Sequence, residues 1–229
     1  QPLNKSNAAD DKQKIFSNVQ NMKNADLSVG DYVQTHGYYS PGDGGGTTYL
    51  IKDSEDKEDK GSVIQLKGKL QAHLIETDKI NVRYFGAKGD NKADDTKAIQ
   101  NAIDKAGYLG TVEFQHGIYK VTKALDVRSR RILGDGKDKT TIIQYTPSEP
   151  ILISGGEHQY ISDLTLRHLN RDVFSEKVPN GVGINVQRLG FGSVIERVDI
   201  QKVTSAIYSK ESMTVGKGNY LFSSSIRDI

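Results

Sequence analysis

The feature that most constrains the fold is a set of three short apolar strands that recur in the second half of the chain. The segments ISDLTL, IERVDI and IRDI begin at Ile161, Ile195 and Ile226, so their first isoleucines are 34 and 31 positions apart. A repeat of roughly 20–50 residues built from several short strands is typical of a solenoid. Because no helical pattern separates these strands, the repeat predicts a right-handed parallel β-helix whose coils stack their apolar residues.

Further short apolar pieces lie between the repeated strands, at residues 151–153, 184–186, 206–208 and 220–222. Together they supply the several strands per coil that a β-helix needs. The third repeated strand stops at Ile229, before its second inward position is complete. Since the last coil of a solenoid needs a cap, we expect this chain to be the N-terminal part of a longer protein.

A helical pattern precedes the repeats. Gly107 stands where a helix should end, and the apolar residues before it recur at helical spacing. The apolar residues are Ala98, Ile99, Ala102, Ile103 and Ala106. Three aspartates, Asp90, Asp94 and Asp95, come just before this pattern. They fit a bound cation, a catalytic cluster, or turn and N-cap chemistry. We favour the last, with Asp94 or Asp95 as N-cap, because the residue spacing lacks a calcium-loop pattern.

The N-terminal third is organised differently. Residues 8–24 read as a helix with one apolar stripe made by Ile15, Phe16, Val19 and Met22, which would pack on its own domain or on another copy. Residues 26–80 contain short β-type runs, a glycine-rich loop at 41–46 and a charged loop at 52–61. The glycine run lacks the Lys-Ser/Thr of a phosphate-binding loop, so it indicates tight turns.

Composition excludes several classes of function. The net charge of +2 gives no reason to expect nucleic-acid binding, and the absence of cysteine excludes disulfides and thiolate metal sites. No apolar run approaches the roughly 20 residues of a membrane helix, so no membrane insertion is expected. The five histidines show no ligand spacing, so no metal or other cofactor is expected.

The segments FGAKGD, DDTKAIQNAIDKAG, GTVEFQHGIY and RILGDGKDKTTII resemble the opening of the pectate-lyase-like β-helix superfamily. Typical members have a proline where this chain has Gln115, a change that affects a turn and not the fold. The resemblance extends from residue 80 to the end. It implies the fold but not the activity, because the superfamily includes lyases, hydrolases, epimerases and non-enzymatic adhesins.

The segment VGDYVQTHGYYSPGDGGGTTYLI, directly upstream, resembles the N-terminal region of phage tail spikes and pre-neck appendages. That resemblance implies a homotrimer in the virion tail, fastened to phage tail or collar proteins through its N-terminal region. Its β-helix would bind, and in many relatives cut, a host cell-wall polysaccharide or teichoic acid. We therefore expect a mainly β chain with an N-terminal helix or stalk (1–25), a small β attachment module (26–80) and the start of a right-handed parallel β-helix (81–229).

The leading hypothesis is a tail-spike or appendage subunit whose parent protein degrades a polysaccharide as a glycoside hydrolase or lyase, with this portion not catalytic by itself. One alternative is a structural or receptor-binding spike without any cleaving site. Another is a secreted pectinase-like enzyme, which the N-terminal module argues against.

Candidate catalytic residues are carboxylates, because glycan cleavage usually needs two of them. The candidates in the repeats are Asp163, Glu196, Asp199 and Asp228, all set by alternation to face outward. The alternative for each of them is a surface or turn residue, which is the more frequent use of outward acids in a repeat. Arg167, Arg188 and Arg197 would be available for lyase chemistry, but the sequence does not connect them. Tyrosines that would stack on sugars, or pack in the core, are Tyr38, Tyr39, Tyr119 and Tyr160.

Overall fold

A computed structural model of the protein describes residues 13–169, 181–209 and 225–227. The chain divides into two compact units, Gln1–Glu76 and Thr77–Ile229. The division at residue 25, and the roles assigned above to each domain, remain predictions. Among the described residues, no helix has both the length and the apolar character needed to cross a membrane.

In its described residues, 13–76, the first unit is a five-stranded sheet with one short helix. Its order is β1-β2-β3-β5-β4, and every pairing is antiparallel except that of β1 with β2. Alternate residues of the central strands, such as Tyr49 and Ile51, are fully buried. The elements are β1 (Lys14–Phe16), α1 (Val19–Asn24), β2 (Tyr32–Thr35), β3 (Thr48–Asp53), β4 (Val63–Gln65) and β5 (Leu70–Leu74).

The helix predicted over residues 8–24 is wrong for half of its described length, residues 13–18, and is confirmed over residues 19–24. Lys14–Phe16 is a β-strand that pairs with β2, and the helix begins only after Asn18, whose Oδ1 accepts the Asn21 amide at 2.8 Å. Polar Ser17 and Asn18 favour a cap over a helix interior, and pairing with β2 satisfies the β1 backbone. Ile15 is 56% exposed, whereas Val19 and Met22 are buried within the first unit. Residues 8–12 lie outside the described residues.

The second unit winds its strands into coils, and each described strand pairs in parallel with strands of neighbouring coils. One sheet has the order β10-β13-β15-β17; the other runs β6-β8-β11-β14-β12-β9-β7, with β16 joined to β14 and β18. Its elements are β6 (Lys79–Asn81), a 3-10 turn (Val82–Phe85), β7 (Asp90–Asp94), α2 (Thr96–Ala106), β8 (Thr111–Phe114), β9 (Gly117–Val121), β10 (Leu125–Asp126), β11 (Arg131–Gly134), β12 (Thr140–Gln144), β13 (Leu152–Gly156), β14 (Tyr160–His168), β15 (Val182–Leu189), β16 (Val194–Gln201), β17 (Ser205–Tyr208) and β18 (Ser225–Arg227).

The register of these coils is the one that the repeat predicts. Ile161 pairs with Ile195, and Ile195 pairs with Ile226. Ile132 continues the same row one coil earlier, and Ile132 and Ile161 are fully buried. The start of a parallel β-helix is therefore confirmed. The predicted strand at 220–222 and the end of the third repeat fall outside the described residues.

The first coil buries alternate residues of β8 and β9. Val112, Phe114 and Val121 are buried, whereas Ile118 is 36% exposed. Tyr119 takes the inward place, and its ring packs edge-on against Phe114 at 5.4 Å between centroids. Strands β8 and β9 are consecutive in the chain but do not form a hairpin, because each pairs with strands of other coils.

The three aspartates at the start of this unit bind backbone and side-chain donors. Asp90 Oδ1 accepts the amides of Lys92 and Ala93, each at 2.9 Å, as turn chemistry predicts. Asp94 Oδ1 accepts the Thr96 amide at 3.0 Å and so provides an acceptor for a backbone N–H in the first turn of α2.

Asp95 occupies the N-cap position of α2 but does not cap it. Its two carboxylate oxygens instead accept the amides of Lys88 and Gly89 at 2.8 and 2.9 Å. Burial raises the pKa of Asp95, although these two hydrogen bonds and Arg83 oppose the shift. Asp95 therefore closes the loop before the helix, and Asp94 performs the capping.

Helix α2 covers the open edge of the first coil. It buries Ile99, Ala102 and Ile103 and contacts β6, β8 and β10. The Gln100 side chain exchanges two hydrogen bonds with the backbone of Asp126 on β10: Asp126 N–H donates to Oε1 at 3.0 Å, and Nε2 donates to Asp126 O at 3.3 Å. One amide side chain thus takes the place of a neighbouring strand.

Candidate functional site

Three of the four predicted carboxylates lie on two stacked strands of the β-helix. Asp163 lies on β14, and Glu196 and Asp199 lie on β16. Backbone pairing places Glu196 beside Ser162 and Asp199 beside Thr165. Asp228 lies outside the described residues.

The strands bend at Asp163 and Arg197, which share one corner of successive coils. Both residues have left-handed backbones, with φ of 62° and 52°, and neither takes part in the ladder pairing between β14 and β16. Gly134 stands at this corner one coil earlier, where a Cβ would lie 2.2 Å from the Asp163 carbonyl oxygen. The left-handed corner turns the side chains of Asp163 and Arg197 out of the alternating pattern of the strand.

Arg197 joins the two carboxylates. Its Nε and Nη2 donate to Asp163 Oδ1 and Oδ2 at 2.7 and 2.8 Å, a bidentate pair, and its Nη1 donates to Glu196 Oε1 at 2.6 Å. Tyr160 completes the group: its hydroxyl donates to Glu196 Oε1 at 2.5 Å and accepts Arg197 Nη2 at 3.2 Å. We call Tyr160, Asp163, Glu196 and Arg197 the corner cluster.

A second arginine extends the corner cluster by one coil. The Arg131 guanidinium lies over the Tyr160 ring, 5.1 Å from its centroid. Arg131 pairs with Tyr160 through the backbone of β11 and β14. The surface therefore spans three coils and presents an aromatic ring, two guanidinium groups and two carboxylates.

The electrostatics of the corner cluster favour binding over proton donation. Hydrogen bonds from Arg197 hold the pKa of Asp163 below its ordinary value, against the effect of partial burial. The same contacts with Asp163, Tyr160 and Glu196 raise the pKa of Arg197. A general acid for glycan cleavage needs a raised pKa, so an ionised Asp163 does not suit that role. Charged groups of this kind suit hydrogen bonding to sugar hydroxyls and carboxylates.

Asp199 does not join this group through its hydrogen bonding. Its Oδ2 accepts a hydrogen bond from Gln201 Nε2 at 2.5 Å, and Gln201 lies two residues further along β16. Within residues 13–169, 181–209 and 225–227, no three His, Cys, Asp or Glu side chains form a group that could hold a metal ion.

Sequence reasoning named all four members of the corner cluster but did not connect them. The available signal was the repeat register, which aligns Tyr160 with the residue before Ile195 and Asp163 with Arg197. Arg131 was missed, although the same register places it one coil before Tyr160. Arg167 lies on β14 beyond the corner and is half-buried.

The comparisons with known proteins agree with this architecture. The sequence model of the family described as "Rhamnogalacturonase A/epimerase, pectate lyase-like" matches residues 79–212, which is more than half of the chain. Alginate lyase 7 of Azotobacter vinelandii is 35% identical over 163 residues, covering 59% of this chain and 18% of that protein. A probable glucan endo-1,3-beta-glucosidase of Arthroderma benhamiae is 40% identical over 79 residues, covering 34% of this chain and 9% of that protein.

Solved structures with a similar fold include phage tailspikes. The gp42 tailspike of Acinetobacter phage vb_AbaP_AS12 matches 86% of this chain and 37% of its own, with a TM-score of 0.71 and 17% identity. Tailspike gp49 of Acinetobacter baumannii bacteriophage Fri1, a capsular polysaccharide depolymerase, matches 88% of this chain and 40% of its own, with a TM-score of 0.65 and 17% identity. At this identity the likeness is one of fold.

The chain spans less than a fifth of the length of these two curated relatives and less than half of these two tailspike chains. The family match covers the coils that bear the corner cluster, and the parallel ladders show the fold directly. The chain belongs to the rhamnogalacturonase A/epimerase, pectate lyase-like family.

Proposed function

We propose that the chain is part of a phage tail-spike subunit, whose first unit attaches to the virion and whose β-helix serves a protein that binds and degrades a host-surface polysaccharide or wall teichoic acid. The tailspike-like fold and the pectate-lyase-like family support a polysaccharide as the ligand. Location in the virion tail and assembly as a homotrimer belong to the same proposal.

The observation that most supports this proposal is the extent of the fold match. The second unit makes up about two thirds of the chain, whereas the gp42 tailspike matches 86% of it. The likeness must therefore include part of the antiparallel first unit. A pectate-lyase-like β-helix alone would fit many functions; the added first unit favours a tail spike.

Within this proposal, the corner cluster binds saccharide and does not cleave it. The lowered pKa of Asp163 leaves no proton for the leaving group at neutral pH, and Arg197 occupies the space between both carboxylates. Cleavage would then depend on other residues of the parent protein. Tyr160 and Arg131 would provide the stacking and ionic contacts.

The same geometry favours a second candidate, a receptor-binding spike without cleaving activity. Because both carboxylates of the cluster are bound to a guanidinium, their described contacts are suited to recognition of a ligand. This alternative shares the virion attachment and the trimer but requires no hydrolysis or elimination anywhere in the parent protein.

The test incubates host-surface polysaccharide with this 229-residue chain and, separately, with the full-length parent. New reducing ends report cleavage, and ultraviolet absorbance of unsaturated products separates a lyase from a hydrolase. We expect cleavage by the parent alone. Binding by the parent without cleavage would favour the receptor-binding spike, and cleavage by this chain would contradict the assignment of the corner cluster to binding.

Two further measurements test the remaining parts of the proposal. Light scattering after size exclusion should give three times the mass of one chain; a monomer at micromolar concentration would contradict the trimer. Replacing Arg197 with alanine should weaken binding of the parent to its polysaccharide, whereas Arg128→Ala, at an exposed arginine on another corner, should leave binding unchanged.

A further inference from the structure

The first unit contains a cleft of about 230 Å³ that no role assigned above explains. Its apolar floor is made by Val19 of α1 and Ile64 of β4, both buried. Its volume is below the roughly 300–1,000 Å³ of pockets that bury drug-sized molecules, so it suits a ligand of about one ring.

Two adjacent tyrosines form one wall of the cleft. The rings of Tyr38 and Tyr39 meet edge-on, with centroids 4.8 Å apart. The Tyr38 hydroxyl donates to Lys60 O at 2.8 Å, and burial raises the pKa of Tyr38, so this phenol remains neutral. Tyr39 is 51% exposed. An exposed aromatic face beside a polar group is the arrangement that accepts the apolar face of a sugar ring and also bonds its hydroxyls.

The other side of the cleft is charged. Lys23 Nζ and Glu58 Oε1 lie 3.9 Å apart, and Glu58 Oε1 also accepts the Gln65 amide at 3.0 Å. With Lys60, the lining residues include two lysines and one glutamate. The net positive charge favours a ligand that bears one negative charge, and the carboxylate is an acceptor for hydroxyl groups.

The walls of the cleft are held in place before any ligand binds. Asp43 accepts four backbone amides of the tyrosine loop, those of Tyr38, Tyr39, Ser40 and Gly45, at 2.7–3.0 Å.

Two hydrogen bonds then tie this loop to the helix side of the cleft. Val19 N–H donates to Tyr38 O at 3.1 Å, and Asn18 Nδ2 donates to Tyr39 O at 3.0 Å. A preformed site loses little conformational entropy on binding.

We propose that this cleft binds a single saccharide ring that carries a carboxylate, of the hexuronic acid class. The ring would stack on Tyr39, its hydroxyls would bond to Glu58, and its carboxylate would face Lys23 and Lys60. This site lies in the first unit, apart in sequence from the corner cluster, and it does not depend on whether the parent protein cleaves polysaccharide.

The test titrates the full 229-residue chain with methyl glucuronoside and, in a second arm, with methyl glucoside, while the tyrosine ring resonances are followed by NMR. We expect the acidic sugar to bind more tightly and to shift the Tyr38 and Tyr39 rings. Tyr39→Ala should weaken binding about tenfold, the factor that corresponds to one good aromatic contact. Tyr39→Phe should retain most of the affinity.

Tyr108→Ala is the matched control, because Tyr108 is an exposed tyrosine of the second unit at 68% exposure. It should bind the sugar as the unmodified chain does. A Lys23→Met, Lys60→Met double variant should bind both sugars equally. Equal affinity of the unmodified chain for the two sugars, no shift of the two tyrosine rings, or unchanged binding by Tyr39→Ala would overturn the proposal.

Discussion

Two aspartates, one in each unit of this protein, act in different ways. In the first unit, Asp43 gathers four backbone amides of one loop, so a single side chain fixes a local shape. In the β-helix, Asp163 binds Arg197 of the next coil. The backbone pairing of β14 with β16 already brings these two coils together, so the ion pair is not needed to set their arrangement. Loss of Asp43 should therefore change the conformation of its loop, whereas loss of Asp163 should change the charge and hydrogen bonding of a surface.

The largest effect should come from the core of the β-helix. Leu164→Ala removes a fully buried side chain that stacks against Val198 of the next coil. We expect a loss of about 2–5 kcal/mol in the free energy of unfolding of the second unit. Urea unfolding followed by residue-resolved hydrogen exchange would measure it. Ile118→Ala, at a partly exposed position of the same unit, should cost less; an equal cost would contradict the stacked core.

The next largest difference in stability between the two units should come from glycine substitutions. In Gly134→Ala the new Cβ would lie 2.2 Å from the Asp163 carbonyl oxygen of the neighbouring coil, and we expect a loss of about 1–3 kcal/mol as the coils shift. Gly42→Ala meets open space in the first unit, where only the left-handed backbone, at φ of 82°, opposes it. That strain costs roughly 1 kcal/mol. Thermal unfolding of both variants should rank Gly134→Ala as the more damaging.

The pH dependence of stability should differ in sign between Asp43 and Asp95. Burial alone would raise the pKa of Asp43, but its four amide hydrogen bonds outweigh burial and lower the pKa. Its contribution is therefore full above the ordinary value of about 3.9 and is lost as pH falls through the folded-state pKa. Asp43→Asn should cost about 1–2 kcal/mol at pH 7 and little at pH 2.

The pKa of Asp95 is instead raised by burial, so ionisation lowers the stability of the second unit as pH rises above the ordinary aspartate value. Asp95→Asn should remove this slope and cost less at pH 7 than Asp43→Asn. Urea unfolding of both variants between pH 2 and 7 would measure the two profiles. Parallel profiles would refute the contrast.

The smallest effect should follow removal of Arg197. Arg197→Ala removes the donors that lower the pKa of Asp163, so that pKa should rise, with little change in stability because the pair is partly exposed. Carboxyl ¹³C shifts followed by NMR titration would report it. Arg128→Ala is the control, since Arg128 lowers the pKa of Asp126 and should leave that of Asp163 unchanged.

The repeat allowed most of the β-helix to be predicted from sequence. Ile161, Ile195 and Ile226 recur at nearly constant spacing, and stacked coils turn that spacing directly into register. Helix α2 was predicted for a similar reason, because its apolar residues follow one period and Gly107 ends it with a φ of 68°.

What could not be predicted depends on single contacts with no period. Lys14–Phe16 forms a strand because its backbone pairs with the edge strand β2, and a pairing between distant segments leaves no pattern in the local sequence. The corner cluster forms because left-handed backbones at Asp163 and Arg197 redirect two side chains that strict alternation would place otherwise. The cleft of the first unit depends on Asp43, which accepts four backbone amides of one loop. These contacts depend on the conformation of the loop and leave no periodic pattern in the sequence.

The amide of Gln100 has a consequence for how the β-helix forms. By bonding to Asp126 it leaves no vacant place beside β10, so new strands are added only on the opposite side, where β13, β15 and β17 follow in chain order. Each coil then folds against one that left the ribosome before it. We therefore expect growth of the β-helix during synthesis to be vectorial, from α2 and the first coil in the direction of translation.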